Sequence, residues 1–337
     1  MSNHRQPAPD DIRPDRINEI VMGFQTSRIL LTAYELGLFT ALGGERKTSA
    51  ETADLLGTDP RATDRLMNAL CALQLLDKSE DKFSNSPLTK TFLVKGGPKY
   101  MAGLQHRVHL WDTWSTLTQA VRKGESVIGK EINDRGEKWL SAFIDAMHDR
   151  AKTTAPAVVS QLDLSGVTRV LDVGGGSGAY AMAFVTAKEG VSADVFDLPN
   201  VVPLTRSYIE KAGLSDRVKT VVGDYHVDAP GKGYDLVFLS AIVHSNSPSE
   251  NIELVKKCAA ALNPGGRVVI QDFIMDEGRT TPAHGAFFAL NMLVGTTSGD
   301  TFTESEVSDW MKKAGLSEIE RIDTPFGTTL IIGRKQK

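Results

Sequence analysis

The stretch VLDVGGGSG at positions 170–178 constrains the fold more than any other part of the sequence. An apolar, β-prone run that stops at an acid and then at glycines is typical of a buried parallel strand entering a tight turn before a helix. Where side chains are absent, a ligand can lie against main-chain N–H groups. Gly174, Gly176 and Ala179 also fit a loose G-x-G-x-x-G/A pattern, which nicotinamide and flavin sites share. The stretch predicts a nucleotide-binding turn, with a purely structural glycine turn as the weaker alternative.

Asp172, which precedes the first glycine, narrows the kind of ligand. A carboxylate there lies at the carboxyl end of the predicted strand, where open α/β sheets bind ligands. It suits a cationic group better than a pyrophosphate. S-adenosylmethionine carries both an ammonium and a sulfonium. We therefore predict that Asp172, Gly174, Gly176 and Gly178 bind this cofactor.

The bulk composition limits the classes of protein and of partner. A chain of 337 residues with 41% apolar residues predicts two domains with sizeable cores. A net charge of −4 provides no general attraction to nucleic acid or to an anionic membrane. Cys71 and Cys258 lie in apolar helical patterns without metal-ligand spacing, which indicates buried thiols in a reducing compartment. With no apolar run of signal-peptide or membrane-spanning length, we expect a cytoplasmic enzyme.

Strands and helices alternate from Thr168 onward, which predicts a doubly wound sheet. The last two strands are joined only by Pro325-Phe326-Gly327, and such a short connection requires an antiparallel pair. The fold class is therefore α/β, with a Rossmann-like seven-stranded sheet of five parallel strands and a terminal antiparallel hairpin. The predicted strands are 169–173, 193–198, 218–223, 234–240, 267–274, 319–324 and 329–333.

The N-terminal third has a different pattern. From Ile12 to Tyr34, apolar residues recur at near-helical spacing, which predicts an amphipathic helix that packs in the core or forms a subunit interface. Residues 48–95 have the pattern of a winged helix, with a capping box at Thr48 to Glu51. A DNA-binding regulator is an alternative, but residues 45–95 contain eight basic and eight acidic side chains, so no basic face dominates. A structural or dimerising module is favoured.

Acids and one histidine follow the predicted strands. Asp197 ends the second strand, where an acid binds ribose hydroxyls in sites of this kind. Asp224 could accept a hydrogen bond from an adenine amino group while Tyr225 covers the adenine ring. Asp197 or Asp224 could instead only cap a helix or stabilise a turn. His244 follows the fourth strand and Asp272 ends the fifth, so an Asp-oriented general base is predicted beside the cofactor.

Two helical segments carry further candidates. A single helix is predicted over 103–122. Its His106 and His109 could share a metal, but no nearby carboxylate or cysteine completes a ligand set, so packing or pocket lining is favoured and no metal is predicted. Phe143 and Met147 share a face of a second helix with Arg150. This pattern favours core packing and, nearly as strongly, an aromatic and sulfur-rich wall over a planar ligand. On that face, Arg150 would favour an acidic or carboxylated substrate.

The motifs LDVGGGSG (171–178), FDLP (196–199), GDY (223–225), IVH (242–244) and NPGGR (263–267) together resemble the caffeic-acid-type and bacterial natural-product O-methyltransferases, which include hydroxyneurosporene-like enzymes. The resemblance covers nearly the whole chain. It implies an intertwined homodimer and a hydroxyl acceptor on a small aromatic or polyketide-like molecule. It also implies two domains joined by a linker: a winged-helix dimerisation domain (12–110), a helical linker lining the acceptor pocket (111–160) and a cofactor domain (161–337).

The same resemblance assigns roles to particular residues. His244 matches the catalytic base and Asp272 the acid that orients it, while Leu198 and Ser240 fall beside the cofactor. Phe143, Met147, Met292 and Thr296 match acceptor-pocket positions. The sequence departs from the family pattern at Ser245-Asn246, where many members have Asp-Trp, at Ser240, where plant enzymes have lysine, and at Thr301, where they have a second catalytic glutamate.

Three other functions remain open, the first of them because of these departures. One is a cofactor-binding relative with altered chemistry, such as C-methylation or a non-methylating reaction. The second is the winged-helix DNA-binding regulator, and the third is a nicotinamide dehydrogenase. The leading hypothesis is a metal-independent, S-adenosylmethionine-dependent O-methyltransferase.

Overall fold

The structure is a computed structural model that describes residues 14–128 and 136–337. Ile12 and most of the polar segment between Gly124 and Gly136 therefore lie outside the described residues. The chain divides into two compact units, one ending at Val108 and the other beginning at His109.

The first unit is mainly helical and contains one small sheet. Its three strands are antiparallel, in the order β1-β3-β2. The predicted capping box is present: the Thr48 hydroxyl accepts from the Glu51 N–H at 3.2 Å, and the Glu51 carboxylate accepts from the Thr48 N–H at 2.7 Å. The elements are α1 (Asp15–Glu35), α2 (Leu38–Leu42), β1 (Lys47–Thr48), α3 (Ser49–Leu56), α4 (Pro60–Ala72), β2 (Leu76–Ser79), β3 (Lys82–Asn85) and α5 (Pro87–Phe92).

Only the C-terminal part of α1 packs in the core of the first unit. Leu31 and Tyr34 are buried, as their spacing predicts. The apolar residues of the N-terminal part are exposed, each by half or more: Ile17, Ile20, Val21, Met22 and Phe24. Packing against residues 14–128 and 136–337 therefore does not account for the predicted apolar stripe, which leaves a large apolar surface on the described part of the molecule.

Two helices replace the single helix expected over 103–122, with α6 (Leu104–Trp114) running across the boundary between the units and α7 (Leu117–Lys123) following it. Ser115 and Thr116 separate them, and their hydroxyls donate to the carbonyls of Trp111 and Thr113. Such hydroxyls offer the backbone a competing set of hydrogen bonds, which favours a break in the helix.

The second unit is a helix-covered sheet. Its remaining elements are α8 (Glu137–Val159), β4 (Arg169–Val173), α9 (Ala179–Ala187), β5 (Ser192–Asp197), α10 (Val202–Lys211), β6 (Val218–Val222), β7 (Tyr234–Ser240), α11 (Pro248–Ala261), β8 (Leu262–Asp272), α12 (Ala283–Gly295), α13 (Glu304–Lys313), β9 (Leu316–Asp323) and β10 (Thr329–Lys335). The strand order is β6-β5-β4-β7-β8-β10-β9.

This sheet confirms the predicted seven-stranded mixed topology. The first five strands in spatial order are parallel, and β10 is antiparallel to both β8 and β9. β8 begins at Leu262 rather than at the predicted Arg267, because Leu262 already pairs with Tyr234 before the register shifts.

The apolar strands separate two cores. Within β4, Val170 packs into one hydrophobic cluster and its neighbour Leu171 into the other, since alternate residues face opposite sides of a sheet. Both faces of the sheet are covered, so β4 has apolar residues at Val170, Leu171 and Val173 instead of a strict alternation of polar and apolar residues. Cys258 is buried as predicted, whereas Cys71 is half-buried, and both are free thiols. In the described part of the chain, no helix combines the length and apolarity needed to span a bilayer.

Candidate active site

The glycine turn after β4 requires its glycines for steric reasons. Gly174 has a φ of +63°, in the left-handed region that side chains disfavour. A Cβ on Gly174 would lie 2.4 Å from Cδ1 of Ile242, and one on Gly175 would lie 2.6 Å from Cγ of Asp172. Gly176 and Gly178 also have positive φ. Gly174 and Gly175 therefore leave the main chain bare where β4 ends, with no room for a side chain at either position.

Asp172 lies beneath this turn and is 1% exposed. Its Oδ2 accepts from the Ala181 N–H at 3.1 Å, but its Oδ1 is buried without a hydrogen-bond partner. Burial raises the pKa of Asp172 to about 7, partly opposed by the Ala181 hydrogen bond. A cation placed at Oδ1 would satisfy this oxygen and favour the carboxylate. The residue therefore fits the cationic end of S-adenosylmethionine.

Asp197, at the end of β5, connects two backbone segments. Its Oδ2 accepts from the Gly176 N–H and its Oδ1 from the Leu198 N–H, both at 2.8 Å. Burial raises the pKa of this carboxyl, and these two hydrogen bonds oppose the rise. The structure thus brings together Asp197, Gly176 and Leu198, all expected at the cofactor.

The residues after β6 have local partners. The Asp224 carboxylate accepts from the His226 N–H at 2.9 Å, so it also stabilises the turn in which it lies. The Tyr225 hydroxyl donates to Oδ1 of Asn246 at 3.3 Å, and burial raises its pKa. Tyr225 is half-buried, with Cε1 3.9 Å from the position that a Gly174 Cβ would occupy. It therefore borders the glycine turn.

His244 and Asp272 are in direct contact at the ends of neighbouring strands. Nδ1 of the His244 imidazole lies 2.8 and 3.0 Å from the two Asp272 carboxylate oxygens. Both side chains are buried. Asp272 is itself held by the Phe273 N–H at 2.8 Å, and the backbone carbonyl of His244 accepts from the Asp300 N–H at 3.0 Å. With Nδ1 directed at a carboxylate, Nε2 is the nitrogen left for proton transfer.

Aromatic rings surround this pair, and only their position in apolar segments marks them in the sequence. Phe288 on α12 meets the His244 ring edge-on at 4.8 Å between centroids. Phe273 packs against Phe288 at 4.6 Å and against His284 at 5.0 Å. The histidine therefore lies in apolar, aromatic surroundings.

Helix α8 carries the predicted acceptor-side residues. Phe143 and Met147 are half-buried, and the Phe143 ring stacks on Trp139 at 5.2 Å. Arg150 is exposed, with its Cζ 5.4 Å from the centroid of Phe273. These side chains recur on one face of the helix, as their spacing predicts.

Three other predicted site residues make local hydrogen bonds. Met292 is buried, and its carbonyl accepts from the Thr296 hydroxyl at 2.7 Å. That hydroxyl also accepts from the Gly299 N–H, so Thr296 closes the end of α12. The Ser240 hydroxyl donates to Oε1 of Gln271 at 3.1 Å. Thr301, which stands where the O-methyltransferases named above have a second catalytic glutamate, is buried.

A polar cluster that the sequence analysis missed joins α8 to the glycine turn. Nδ1 of His148 lies 2.9 Å from the buried Ser177 hydroxyl. The His148 ring stacks on Tyr208 at 4.0 Å, and the Tyr208 hydroxyl donates to Asp145. Burial, followed by the nearby Lys152 charge, lowers the pKa of His148. Neither residue type nor short-range spacing marks this contact.

No metal centre is assembled by the described residues. No group of three or more His, Cys, Asp or Glu side chains in 14–128 and 136–337 is arranged to hold an ion. A glycine turn over a buried acid, acids at successive strand ends and an Asp-held histidine instead define a nucleotide-cofactor enzyme of the doubly wound α/β class.

Comparison with known proteins identifies the family within this class. Residues 114–317 match the O-methyltransferase domain and residues 18–95 the O-methyltransferase dimerisation domain. The chain is 32% identical to 3-hydroxy-5-methyl-1-naphthoate 3-O-methyltransferase of Streptomyces sahachiroi, over 97% of each chain. It is 30% identical to the N,N-dimethyltransferase OxyT of Streptomyces rimosus, covering 94% of this chain and 95% of the relative.

A solved structure supports the same assignment. PigF, from a Serratia species, was solved with S-adenosylhomocysteine and superposes with a TM-score of 0.89 at 26% identity, covering 96% of this chain and 100% of PigF. The chain belongs to the O-methyltransferase family and uses S-adenosylmethionine as methyl donor. The resemblance noted in the sequence is confirmed.

Proposed function

We propose that this enzyme transfers the methyl group of S-adenosylmethionine to a hydroxyl of a small aromatic or polyketide-like metabolite, with His244 as general base and without a metal. The observation that carries the proposal is the 2.8 Å contact between His244 Nδ1 and Asp272. It leaves Nε2 unprotonated when the imidazole is neutral, in surroundings formed by aromatic rings.

The two residues have separate roles in the step. A phenol with a pKa of about 10 is mostly neutral at pH 7, so its oxygen is a weak nucleophile. His244 Nε2 accepts the hydroxyl proton while the oxygen forms its bond to carbon, and Asp272 stabilises the resulting imidazolium. The cofactor supplies the methyl group on a sulfonium, which leaves as the neutral thioether. Positioning and proton removal are thus the contributions required of the protein.

The cofactor is proposed to lie along the strand ends. Asp172 would bind its cationic end through the unpartnered Oδ1, while Gly174, Gly176 and Gly178 let the main chain approach. Asp197 would hold the ribose hydroxyls.

The remaining cofactor positions lie further along the same edge. Leu198 and Tyr225 would cover the adenine, and Asp224 would accept from its amino group. Ser240, already bonded to Gln271, would border the cofactor rather than replace the lysine of the plant enzymes.

The acceptor is proposed to lie between α8 and α12. Phe143, Met147 and Met292 offer apolar and polarisable surface for a planar ring. Thr296, whose hydroxyl is used within α12, would contribute mainly its methyl group. The hydroxylated naphthoate named for the Streptomyces sahachiroi relative is an acceptor of this shape and chemistry.

A second candidate is methylation at nitrogen or carbon. It is favoured by the 30% identity to an N,N-dimethyltransferase and by Thr301 standing where the resembling family has a second acid. An amine acceptor is methylated as its free base, for which His244 could again accept a proton.

The decisive experiment measures transfer from methyl-labelled S-adenosylmethionine to matched phenols and anilines by wild type and His244→Ala. We expect O-methyl products and a loss of roughly a hundredfold or more in kcat in the variant, with cofactor affinity unchanged by calorimetry. N- or C-methyl products would replace the O-methylation proposal. Undiminished transfer by the variant would remove His244 as the base.

The assembly is proposed to be a homodimer formed by the first unit. Its support is the match of residues 18–95 to a dimerisation domain, together with the exposed apolar residues of α1. Light scattering after size-exclusion chromatography should give twice the monomer mass. Replacing Ile17 and Phe24 with glutamate should halve that mass, and a wild-type monomer would refute the proposal.

A further inference from the structure

Arg150 is an exposed cation whose ionic partner is not supplied by the described chain. Its neighbour Asp149 pairs instead with Lys152 at 2.6 Å. Across residues 14–128 and 136–337, no ion pair or hydrogen bond engages the Arg150 guanidinium; its one contact of this kind is with the face of Phe273. Because most surface arginines are simply solvated, the lack of an ionic partner does not by itself indicate a binding site. The direction in which the Arg150 side chain points is the evidence for one.

The guanidinium is directed toward the reacting centre. Phe273 directly follows Asp272 in sequence and packs on Phe288, which touches the His244 ring. Arg150 is therefore separated from the base by two packed aromatic rings. Met147 and Phe143, both proposed for the acceptor pocket, lie on the same face of α8, one and two turns before Arg150 respectively.

The chemistry of this position selects an anion of a particular shape. A guanidinium that stacks on an aromatic face is weakly hydrated and presents two parallel N–H groups, which match a planar carboxylate. No acidic side chain of the described chain competes for it. We propose that Arg150 binds a carboxylate carried by the aromatic acceptor, so that the preferred substrates are hydroxylated aromatic acids.

This inference rests on the proposed function and adds a specificity determinant to it. The carboxylate is remote from the reacting hydroxyl, so its binding contributes to acceptor affinity and orientation rather than to proton transfer. Loss of Arg150 should accordingly raise KM for the acid more than it lowers kcat.

The test compares hydroxybenzoic and hydroxynaphthoic acids with their primary carboxamides, using wild type, Arg150→Met and Arg150→Lys. Methionine keeps an apolar stem against Phe273 and removes the charge. Lysine keeps the charge but lacks the two parallel N–H groups of the guanidinium. Lys152→Met removes a positive charge from the same helix and is the matched control.

We expect wild type to prefer acid over carboxamide at least tenfold in kcat/KM. Arg150→Met should lower kcat/KM for the acids 10- to 100-fold, mainly through KM, and change the carboxamides less than threefold, as expected for a charge-assisted hydrogen bond. For the acids, Arg150→Lys should give a kcat/KM between those of wild type and Arg150→Met. Lys152→Met should retain the wild-type preference for acid over carboxamide.

Other outcomes separate the two proposals. Equal losses for acid and carboxamide would overturn the carboxylate site and leave only packing on Phe273. Efficient methylation of phenols with no preference for acids would overturn it while leaving the proposed function intact. Methylation of no hydroxylated aromatic at all, despite cofactor binding, would overturn both.

Discussion

Gly174→Ala tests the packing of the glycine turn, and its cost can be worked out from the structure. The left-handed φ of +63° costs an alanine about 1–2 kcal/mol. The new Cβ would lie 2.4 Å from Cδ1 of Ile242, the end of a half-buried side chain that can turn aside at an off-rotamer cost of about 0.5–1.5 kcal/mol. We expect the free energy of unfolding to fall by roughly 1.5–3.5 kcal/mol, and cofactor affinity to fall as the turn shifts.

Ile242→Val should relieve the overlap that Gly174→Ala creates, because valine lacks the Cδ1 atom that the new Cβ would meet. Alone it should cost about 0.5–1.5 kcal/mol. In the double variant Gly174→Ala/Ile242→Val the two costs should not add, with a coupling of about 0.5–1.5 kcal/mol in favour of the pair. Gly178→Ala is the control for backbone strain: its φ is +75°, but its Cβ would meet side-chain atoms only at 3.4 Å or more.

The assay is urea unfolding followed by tryptophan fluorescence. All four tryptophans lie in the second unit, at positions 111, 114, 139 and 310, so the signal reports the unit that contains the turn. Strictly additive effects of Gly174→Ala and Ile242→Val would refute the reasoning, as would a Gly178→Ala cost equal to that of Gly174→Ala.

Three further outcomes are expected. Asp272→Asn should lower kcat about 10²- to 10⁴-fold at unchanged cofactor affinity, because an amide no longer stabilises the imidazolium of His244; wild-type kcat would exclude this role. The folded-state pKa of Asp172, about 7, lies above its unfolded value, so the ionised residue destabilises the cofactor-free protein increasingly as pH rises from 4 through 7. Asp172→Asn should therefore raise Tm more at pH 8 than at pH 5, whereas equal gains would contradict the shift. Ser177→Ala and His148→Phe should each weaken cofactor binding, measured by calorimetry, about fivefold. If the contact between these two side chains is what supports binding, the double variant should lose no more affinity than either single variant.

The sheet and the contact between His244 and Asp272 were accessible from sequence for definite physical reasons. Parallel strands buried on both faces form apolar runs that few other structures require, so β4 and β7 were located with correct bounds. Strand order then placed the residues that follow β7 and β8 next to each other, which brought His244 to Asp272 before any coordinates were known.

Other features depend on partners that periodicity does not encode. The spacing of Ile17 and Phe24 predicts an apolar helix face but not what covers it, and in this chain both remain exposed. The contact between His148 and Ser177 joins a helix to a turn 29 residues later and leaves no local pattern. Thr296 was expected beside the acceptor, but only the structure shows that its hydroxyl is used to end α12.

The position of β10 has a consequence for when the enzyme becomes active during synthesis. This strand inserts between β8 and β9, and Thr329 pairs directly with Asp272. Asp272 therefore lacks one flanking strand until a segment made nearly sixty residues later has joined the sheet. If Asp272 orients the base as proposed, we expect a nascent chain to begin methyl transfer only after β10 has joined the sheet, even where its glycine turn has formed earlier.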